Sequence, residues 1–323
     1  MLSRVANSIY WMSCYIERAE NLARFVDVTF NLMLDLPDGS AEQWQPLVST
    51  TGDQKAFAER YGSATRQNVV RFLVFDPEYA NSILSCLQKA RENARGIRET
   101  ISSEMWEGLN DFYYMVMDAA SNHDLTDSPQ EFLSEVKKSG HLFQGITDGT
   151  MSHGEGWHFA QLGKLLERAD KTSRILDVKY YILLPQIADV GTPTDDLQWS
   201  AVLHSVSGLE MFRKRHGGIT PDRVVSFLVL DQLFPRAITH CIDSATKSLH
   251  AISGSPEGTF HNSAEKRMGR LHSDLAYTHV DEIIWIGLHE FLDSIQTKLN
   301  HLGDAIHQSF FAVRPDDVLA GRS

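Results

Sequence analysis

Two Glu-Arg dipeptides are the residues of this chain with the clearest chemical potential. Glu17-Arg18 and Glu167-Arg168 occupy the same place in two similar segments, residues 15–28 and 165–178, which are offset by 150 residues. A carboxylate beside a guanidinium can bind a carboxylate-bearing ligand or take part in acid–base catalysis. The same side chains can form an ion network inside the protein, since such networks also occur in cores. From the residues alone we favour the structural network and keep a ligand or active site as the alternative.

The charges around these dipeptides are repeated as well. The candidate cluster comprises Glu17, Arg18, Glu20, Arg24, Glu167, Arg168, Asp170 and Arg174. Arg18 and Arg168 lie on otherwise apolar helical faces, and a buried arginine requires a carboxylate partner. We therefore expect the two dipeptides to meet near the centre of the molecule. Arg24 lies on a more polar face, four residues after Glu20, so we expect an exposed helix pair worth under about 1 kcal/mol.

A second candidate precedes the second segment. His153, Glu155 and Trp157 are interleaved with Gly154 and Gly156. A helix amino terminus with glycines beside it can bind a carboxylate or a phosphate. A capped turn with Trp157 packed into the core explains the same residues, and we favour that interpretation.

Metal and cofactor chemistry finds little support in the sequence. His301, Asp304 and His307 share one helical face, but surface histidines commonly have no ligand, so we predict no metal. The chain contains no glycine-rich phosphate loop, no Gly-x-Ser-x-Gly elbow and no His-Glu-x-x-His motif. We therefore predict no cofactor.

The elements that must position these residues are helices. Apolar residues recur every three or four positions from residue 4 to 34, which predicts one continuous helix, and the matching pattern predicts another over about 157–184. The Leu-Pro-Asp-Gly sequence at 36–39 ends the first helix. Residues 40–62 are predicted to be loop with short helical pieces around Trp44 and Phe57.

Proline-containing helix starts recur farther along the chain. Residues 69–75 could form a strand alone, but Asp76-Pro77-Glu78 follows, which is typical of a helix start, so we interpret 69–75 as the end of a helix. Residues 128–131 and 220–222 predict two further helix starts by the same chemistry. The predicted fold class is all-α.

An internal repeat organises the whole chain. Beside the match at an offset of 150, residues 69–76 match residues 224–231 at an offset of 155, and Cys86 aligns with Cys241. We predict an internally duplicated helical bundle with pseudo-twofold related halves, residues 1–150 and 151–323, packed as one globular domain.

Composition restricts the partners. The formal net charge is −12, which disfavours nucleic acid, and 42% of the residues are hydrophobic, enough for a sizeable core. No run of apolar residues is long enough to span a membrane, and the amino terminus lacks the pattern of a signal peptide. Cys14, Cys86 and Cys241 have no CxxC spacing, so we expect a reducing cytoplasm. Cys86 and Cys241 occupy equivalent repeat positions among apolar residues, so we expect both to be small buried residues.

Several motifs together resemble a known family. Residues 10–20, 149–157, 162–170 and 287–292 are similar to the alpha-E family, a bacterial all-helical domain named for its glutamate-arginine motifs. The resemblance covers nearly the whole chain, with departures at Cys14 and Lys164. The family has no established activity, but its members resemble parts of systems encoded beside a circularly permuted ATP-grasp protein, a transglutaminase-like protease and sometimes a proteasome-like β-subunit.

The resemblance implies a role in making or modifying a peptide by amide-bond ligation, with an ATP-grasp-type ligase and a transglutaminase-like protease as partners. Our first hypothesis is therefore an accessory or binding protein of such a system. The second is an enzyme that uses the Glu-Arg cluster as acid–base and carboxylate-binding groups on a peptide or amino-acid-like substrate. A purely structural oligomer module is the third. Whether the cluster lines an accessible pocket or is sealed in the core discriminates between the first two.

Overall fold

The computed structural model describes residues 1–34, 44–121, 129–183 and 193–312, and within these ranges the chain is helical with no strand. The helices of the first half are α1 (Ser3–Leu34), α2 (Gln45–Thr51), α3 (Gln54–Tyr61), α4 (Arg66–Val70), α5 (Ile83–Arg95), α6 (Ser103–Ala119) and α7 (Gln130–Thr150). Those of the second half are α8 (Glu155–Leu183), α9 (Pro193–Ser205), α10 (Leu209–Arg215), α11 (Pro221–Val225), α12 (Ile238–Ser253), α13 (Ser263–Tyr277), α14 (Val280–Ile286) and α15 (Leu288–Ile306).

The all-α prediction is confirmed for the described residues. Both long helices, α1 and α8, lie where the apolar periodicity predicts them. Of the two predicted short helices, α2 begins directly after Trp44 and α3 includes Phe57. The predicted helix stop at 36–39 and the serine of the 128–131 motif lie outside the described residues.

The two long helices pack against each other at the centre of the molecule. Helices α5 and α7 pack on α1, while α12 and α15 pack on α8. Small residues let the two backbones approach: Ala19, Ala23 and Ala169 are fully buried. At Gly163 a β-carbon would lie 2.4 Å from the Tyr10 carbonyl oxygen, so only glycine fits there.

Residues 66–75 and 221–230 have the same local structure. Each begins as α-helix, α4 or α11, and ends in a π-helical turn, at Arg71–Phe75 or Ser226–Leu230. The interpretation of residues 69–75 as the end of a helix is thus confirmed, and α11 begins at Pro221 as predicted.

The predicted helix start at Asp76-Pro77-Glu78 is wrong. Asp76 accepts hydrogen bonds from the backbone N–H groups of Glu78 and Tyr79, at 2.8 and 3.3 Å, but turns continue up to α5. Arg60 binds the other carboxylate oxygen at 2.9 Å. The helix starts at Ile83 because Ser82 supplies the cap, its hydroxyl accepting from the Ser85 N–H at 3.1 Å.

The close approach of α1 and α8 at Gly163 gives a stability test. Gly163→Ala should lower the free energy of unfolding by about 1–3 kcal/mol, because its β-carbon meets backbone that can yield only by moving a helix. Gly269→Ala, in α13 with open space around its β-carbon, should raise it by up to about 1 kcal/mol. Denaturant unfolding of both variants measures the contrast, and equal midpoints would contradict the packing described.

Candidate functional site

The two Glu-Arg dipeptides form crossed ion pairs between α1 and α8. Arg18 donates from Nε and Nη2 to the two carboxylate oxygens of Glu167, at 2.7 and 2.9 Å. Arg168 donates in the same way to Glu17, at 2.8 Å for both bonds. Each dipeptide is thus paired with the other by bidentate hydrogen bonds, which are the strong form of this interaction. The expected meeting of the four side chains is present.

A second pair lies one turn farther along each long helix. Arg24 donates to Glu20 at 2.8 Å, and Arg174 donates to Asp170 at 2.9 Å. Both arginines also use Nη1 to bind a backbone carbonyl oxygen of the opposite half: Arg24 binds that of Ser205 at 3.0 Å, and Arg174 binds that of Thr50 at 3.3 Å. The eight predicted residues therefore divide into two clusters with matching internal contacts.

One cluster is closed off from solvent. This sealed cluster consists of Glu17, Glu20, Arg24, Arg168 and Arg236, all buried. Arg236 donates to Glu17 at 3.2 Å and also contacts Glu20. Gln144 of α7 donates to the same two carboxylates at 2.9 and 3.0 Å, so α7 also covers the cluster.

The sealed cluster keeps its charges. Burial alone would raise the pKa of Glu17 and Glu20, but the guanidinium of Arg168 beside Glu17 and that of Arg236 beside Glu20 hold both pKa values below their ordinary range. Burial, together with the nearby Arg24 and Arg168, lowers the pKa of Arg236 to about 10. Arg236 therefore remains protonated at neutral pH, and the cluster is fully ionised.

The prediction that Arg24 forms an exposed, weak pair is wrong. Its side chain is only 2% exposed, whereas that of Arg18 is 19% exposed. The periodicity of α1 describes that helix alone, and Arg24 is covered by the chain after α9. Ser207 there accepts a hydrogen bond from Arg24 at 2.8 Å.

The other cluster faces a cavity. This open cluster consists of Arg18, Glu167, Asp170, Lys171 and Arg174. Lys171 contacts Glu167 at 3.3 Å and Asp170 at 2.7 Å. The adjoining space, the open cavity, has a volume of about 580 Å³, and its further lining includes Trp11, Asp53, Tyr79, Asn81, Gly303 and Asp304.

Two glycines show how closely the chain packs beside each cluster. At Gly140 of α7 an added β-carbon would lie 2.9 Å from a carboxylate oxygen of Glu20. At Gly303 of α15, which lines the open cavity, nothing lies within 4 Å of an added β-carbon. Helix α7 thus packs directly against Glu20, whereas space remains beside α15 at Gly303.

Each cluster has a third cation besides its two matched arginines, and this third cation comes from a different position in each cluster. Arg236 and Asn81 correspond at the offset of 155, and Asn21 and Lys171 correspond at the offset of 150. In the sealed cluster Arg236 is the cation and binds Asn21 at 3.1 Å. In the open cluster Lys171 is the cation, and Asn81 accepts from Arg18 at 2.7 Å. Arg236 and Lys171 were not among the predicted residues, although these exchanges at aligned positions were a signal for both.

The carboxylates of the open cluster are surrounded by cations. Burial would raise the pKa of Glu167 and Asp170, but Arg18 and Lys171 beside Glu167, and Lys171 and Arg174 beside Asp170, lower both pKa values. An efficient general acid or base requires a pKa near the working pH. Both carboxylates are instead fixed in the ionised form.

The secondary candidates lie elsewhere. Trp157, partly buried, donates to Asp148 at 3.0 Å, and the His153 ring stacks on it with 4.3 Å between centroids. Glu155 begins α8 and pairs with the amino group of Met1 at 2.7 Å. None of the three candidates lines the open cavity, and their contacts are those of a packed turn.

The remaining candidates are the helical face of His301, Asp304 and His307 and the three cysteines. Asp304 and His307 line the open cavity while His301 does not, and no group suited to a metal ion occurs among the residues described. Cys14, Cys86 and Cys241 are buried, and burial raises the pKa of Cys86 to about 11 and of Cys241 to about 12. Across the described ranges, every helix is too short or too polar to cross a bilayer.

Comparison with known proteins agrees with this architecture. Residues 1–311 match the profile of Alpha-E, described as a predicted alpha-helical domain with a conserved ER motif. The chain belongs to the Alpha-E family. Glu17-Arg18 and Glu167-Arg168 fit the ER motif of that description.

Relatives of this Alpha-E chain include uncharacterized proteins of Mycobacterium bovis and of two strains of Mycobacterium tuberculosis. The identity is 21% for the former and 21% and 20% for the latter, in each case over 95% of this chain and 35% of the relative. The chain therefore spans about a third of the length of these relatives. No solved structure matches it significantly.

The matched arginines of the two clusters give a direct test of burial. Arg24→Ala should lower the free energy of unfolding by about 3–5 kcal/mol, because Glu20 and its neighbours lose a partner inside the core. Arg174→Ala should cost only about 1 kcal/mol, because its side chain is 22% exposed and water can replace it. Urea unfolding of both variants measures the difference. Similar losses in the two variants would contradict the division into sealed and open clusters.

The lowered pKa values predict acid sensitivity. Glu17 and Glu20 are ionised in the folded protein below their unfolded pKa of about 4.3, so they stabilise it above that pH and the stabilisation is lost as the pH falls toward their folded values. Glu20→Gln should flatten the dependence of unfolding free energy on pH between about 4 and 3 by up to about 1.4 kcal/mol per pH unit. Glu257→Gln, at an exposed position, serves as the control. An unchanged slope in Glu20→Gln would refute the assignment.

Proposed function

We propose that this chain is an accessory, ligand-binding protein of a cytoplasmic system that modifies peptides by amide-bond ligation, working with an ATP-grasp-type ligase and a transglutaminase-like protease. The open cluster and its cavity are the proposed binding site. The observation that carries this proposal is the contrast between two matched ion clusters, of which one is sealed and the other borders about 580 Å³ of space. An ion network that only stabilises the fold does not require a second cluster that borders a cavity.

The proposal includes an internal duplication with pseudo-twofold related halves. Contacts that recur at matched positions support it: Arg60–Asp76 and Arg215–Asp231, the stacked rings Phe72–Tyr79 and Phe227–Phe234, and the carbonyl contacts of Arg174 and Arg24. In a duplicated bundle one copy can keep the structural ion network while the other is free to acquire a ligand.

The second candidate, an enzyme that uses the Glu-Arg cluster for acid–base chemistry, has less support. The lowered pKa values of Glu167 and Asp170 keep these carboxylates ionised at neutral pH, and both are already bound by cations. In the proposed division of labour the ligase supplies ATP chemistry and this chain holds a ligand. The Alpha-E resemblance supports the choice of partners.

Filling the cavity without disturbing the fold tests this proposal. Gly303→Leu places a branched side chain into open space at the cavity wall, and Gly269→Leu does the same on an exposed surface of α13. Both replace a helical glycine, so both should fold at least as stably as the wild type. When either is expressed with the ATP-grasp-type protein of the same host, a complex should form. Only Gly303→Leu should reduce formation of the amide product, by about tenfold or more.

Two outcomes of that experiment would count against the proposal. One is product formation by Gly303→Leu equal to that of Gly269→Leu, which would show that the cavity is not used. The other is ATP turnover by the purified chain alone that disappears in Glu167→Gln, which would favour the enzyme.

A further inference from the structure

Each cation beside the open cavity is already paired with a carboxylate of the open cluster. Arg18 uses Nε and Nη2 on Glu167 and Nη1 on Asn81, and Arg174 bonds through all three nitrogens to Asp170 and to the Thr50 carbonyl oxygen. Lys171 lies between two carboxylates. A carboxylate or phosphate entering the cavity would therefore compete with the carboxylates that these cations already bind.

Two carboxylates of the cavity wall are in the opposite situation. Asp53, in the turn before α3, accepts a hydrogen bond from the Tyr79 hydroxyl at 2.5 Å and has no ion-pair partner in the described part of the chain. Asp304, on α15, is exposed at the rim and likewise lacks a cation among the residues described. Besides His307, the lining contains three basic side chains, all arginine or lysine, and four acidic ones, so these two aspartates make the carboxylates outnumber the arginine and lysine side chains by one.

An aromatic side chain also lines the open cavity. Trp11, on α1, is partly buried, lines the cavity and belongs to an aromatic pair with Tyr15, the ring centroids being 5.4 Å apart. Cations are attracted both to aromatic faces and to unpaired carboxylates, whereas anions are repelled by both. The space is bounded by helices and holds far more than a single metal ion.

We propose that the open cavity binds the ammonium end of an amino acid or peptide, with Asp53 and Asp304 as its counterions. This inference rests on the proposed function and specifies it: amide-bond ligation joins an amine to a carboxyl group, and this chain holds the amine component. The Arg18–Glu167 pair acts as the fixed floor of the site and does not contact the ammonium directly.

Two small probes that differ in charge test the inference. L-Alanine amide carries an ammonium group and no carboxylate, whereas N-acetyl-L-alanine carries a carboxylate and no ammonium group. Isothermal titration calorimetry with the full chain should detect binding of the amide but not of the acetylated acid. The double variant Asp53→Asn, Asp304→Asn should weaken binding of the amide by about tenfold or more, because charge-assisted hydrogen bonds are lost while the side-chain shapes are kept.

Controls separate this inference from general attraction of cations to an acidic protein. Asp281→Asn removes an exposed charge on α14, outside the cavity, and should leave binding of the amide unchanged. Gly303→Leu should weaken binding by about tenfold or more, because its side chain occupies cavity space next to Asp304. Equal affinity of the double variant and Asp281→Asn would overturn the inference, as would the absence of binding up to about 20 mM amide, a concentration that would detect even millimolar affinity.

Two further results would separate this inference from the proposed function. The first would overturn the amine assignment and leave the proposed function intact. If N-acetyl-L-alanine binds and Gly303→Leu prevents it, the cavity is a ligand site of the opposite charge preference. If instead L-alanine amide binds as expected but Gly303→Leu makes the amide product at the normal rate with the ligase, the amine site is real and the proposed role in ligation is wrong.

Discussion

The crossed bidentate pairs between α1 and α8 are the interaction on which the rest of the structure depends. Taking four charges out of water is costly, and the cost is offset only when every charge is paired with good geometry. This requirement fixes the axial register of the two long helices, because a shift by one residue would turn both dipeptides away from their partners. The small residues Ala19, Ala169 and Gly163 allow the close approach that the short hydrogen bonds need.

The same physical reasoning explains how much the sequence could reveal. The long helices and the pairing of Arg18 with a carboxylate follow from periodicity, since an arginine on an apolar stripe needs a counterion. The burial of Arg24 could not be predicted in this way, because it is covered by residues more than 180 positions away. The start of α5 was misplaced because Asp76 and Ser82 are both good caps, and the contact of Asp76 with Arg60 is tertiary.

The exchange of cations between the clusters could be read from the aligned repeats but not from helical periodicity. In the sealed cluster the guanidinium of Arg236, just before α12, pairs with the carboxylates. In the open cluster the ammonium of Lys171, on α8 itself, does so. Arg236 reaches inward across the carboxylates and helps to close its cluster, whereas Asn81 is shorter and uncharged. The sealed cluster thus contains a long, charged side chain at a position where the open cluster has a short, neutral one.

The crossing of the pairs also has a consequence for biosynthesis. During translation α1 emerges long before α8, so for more than a hundred residues Glu17 and Arg18 exist without Arg168 and Glu167. A nascent chain that has not yet released α8 from the ribosome holds an apolar helix whose central charges are unpaired, and it cannot close its core around them. The crossed pairs can therefore form only after α8 has been synthesised, so the ion network at the centre of the molecule is a late product of synthesis.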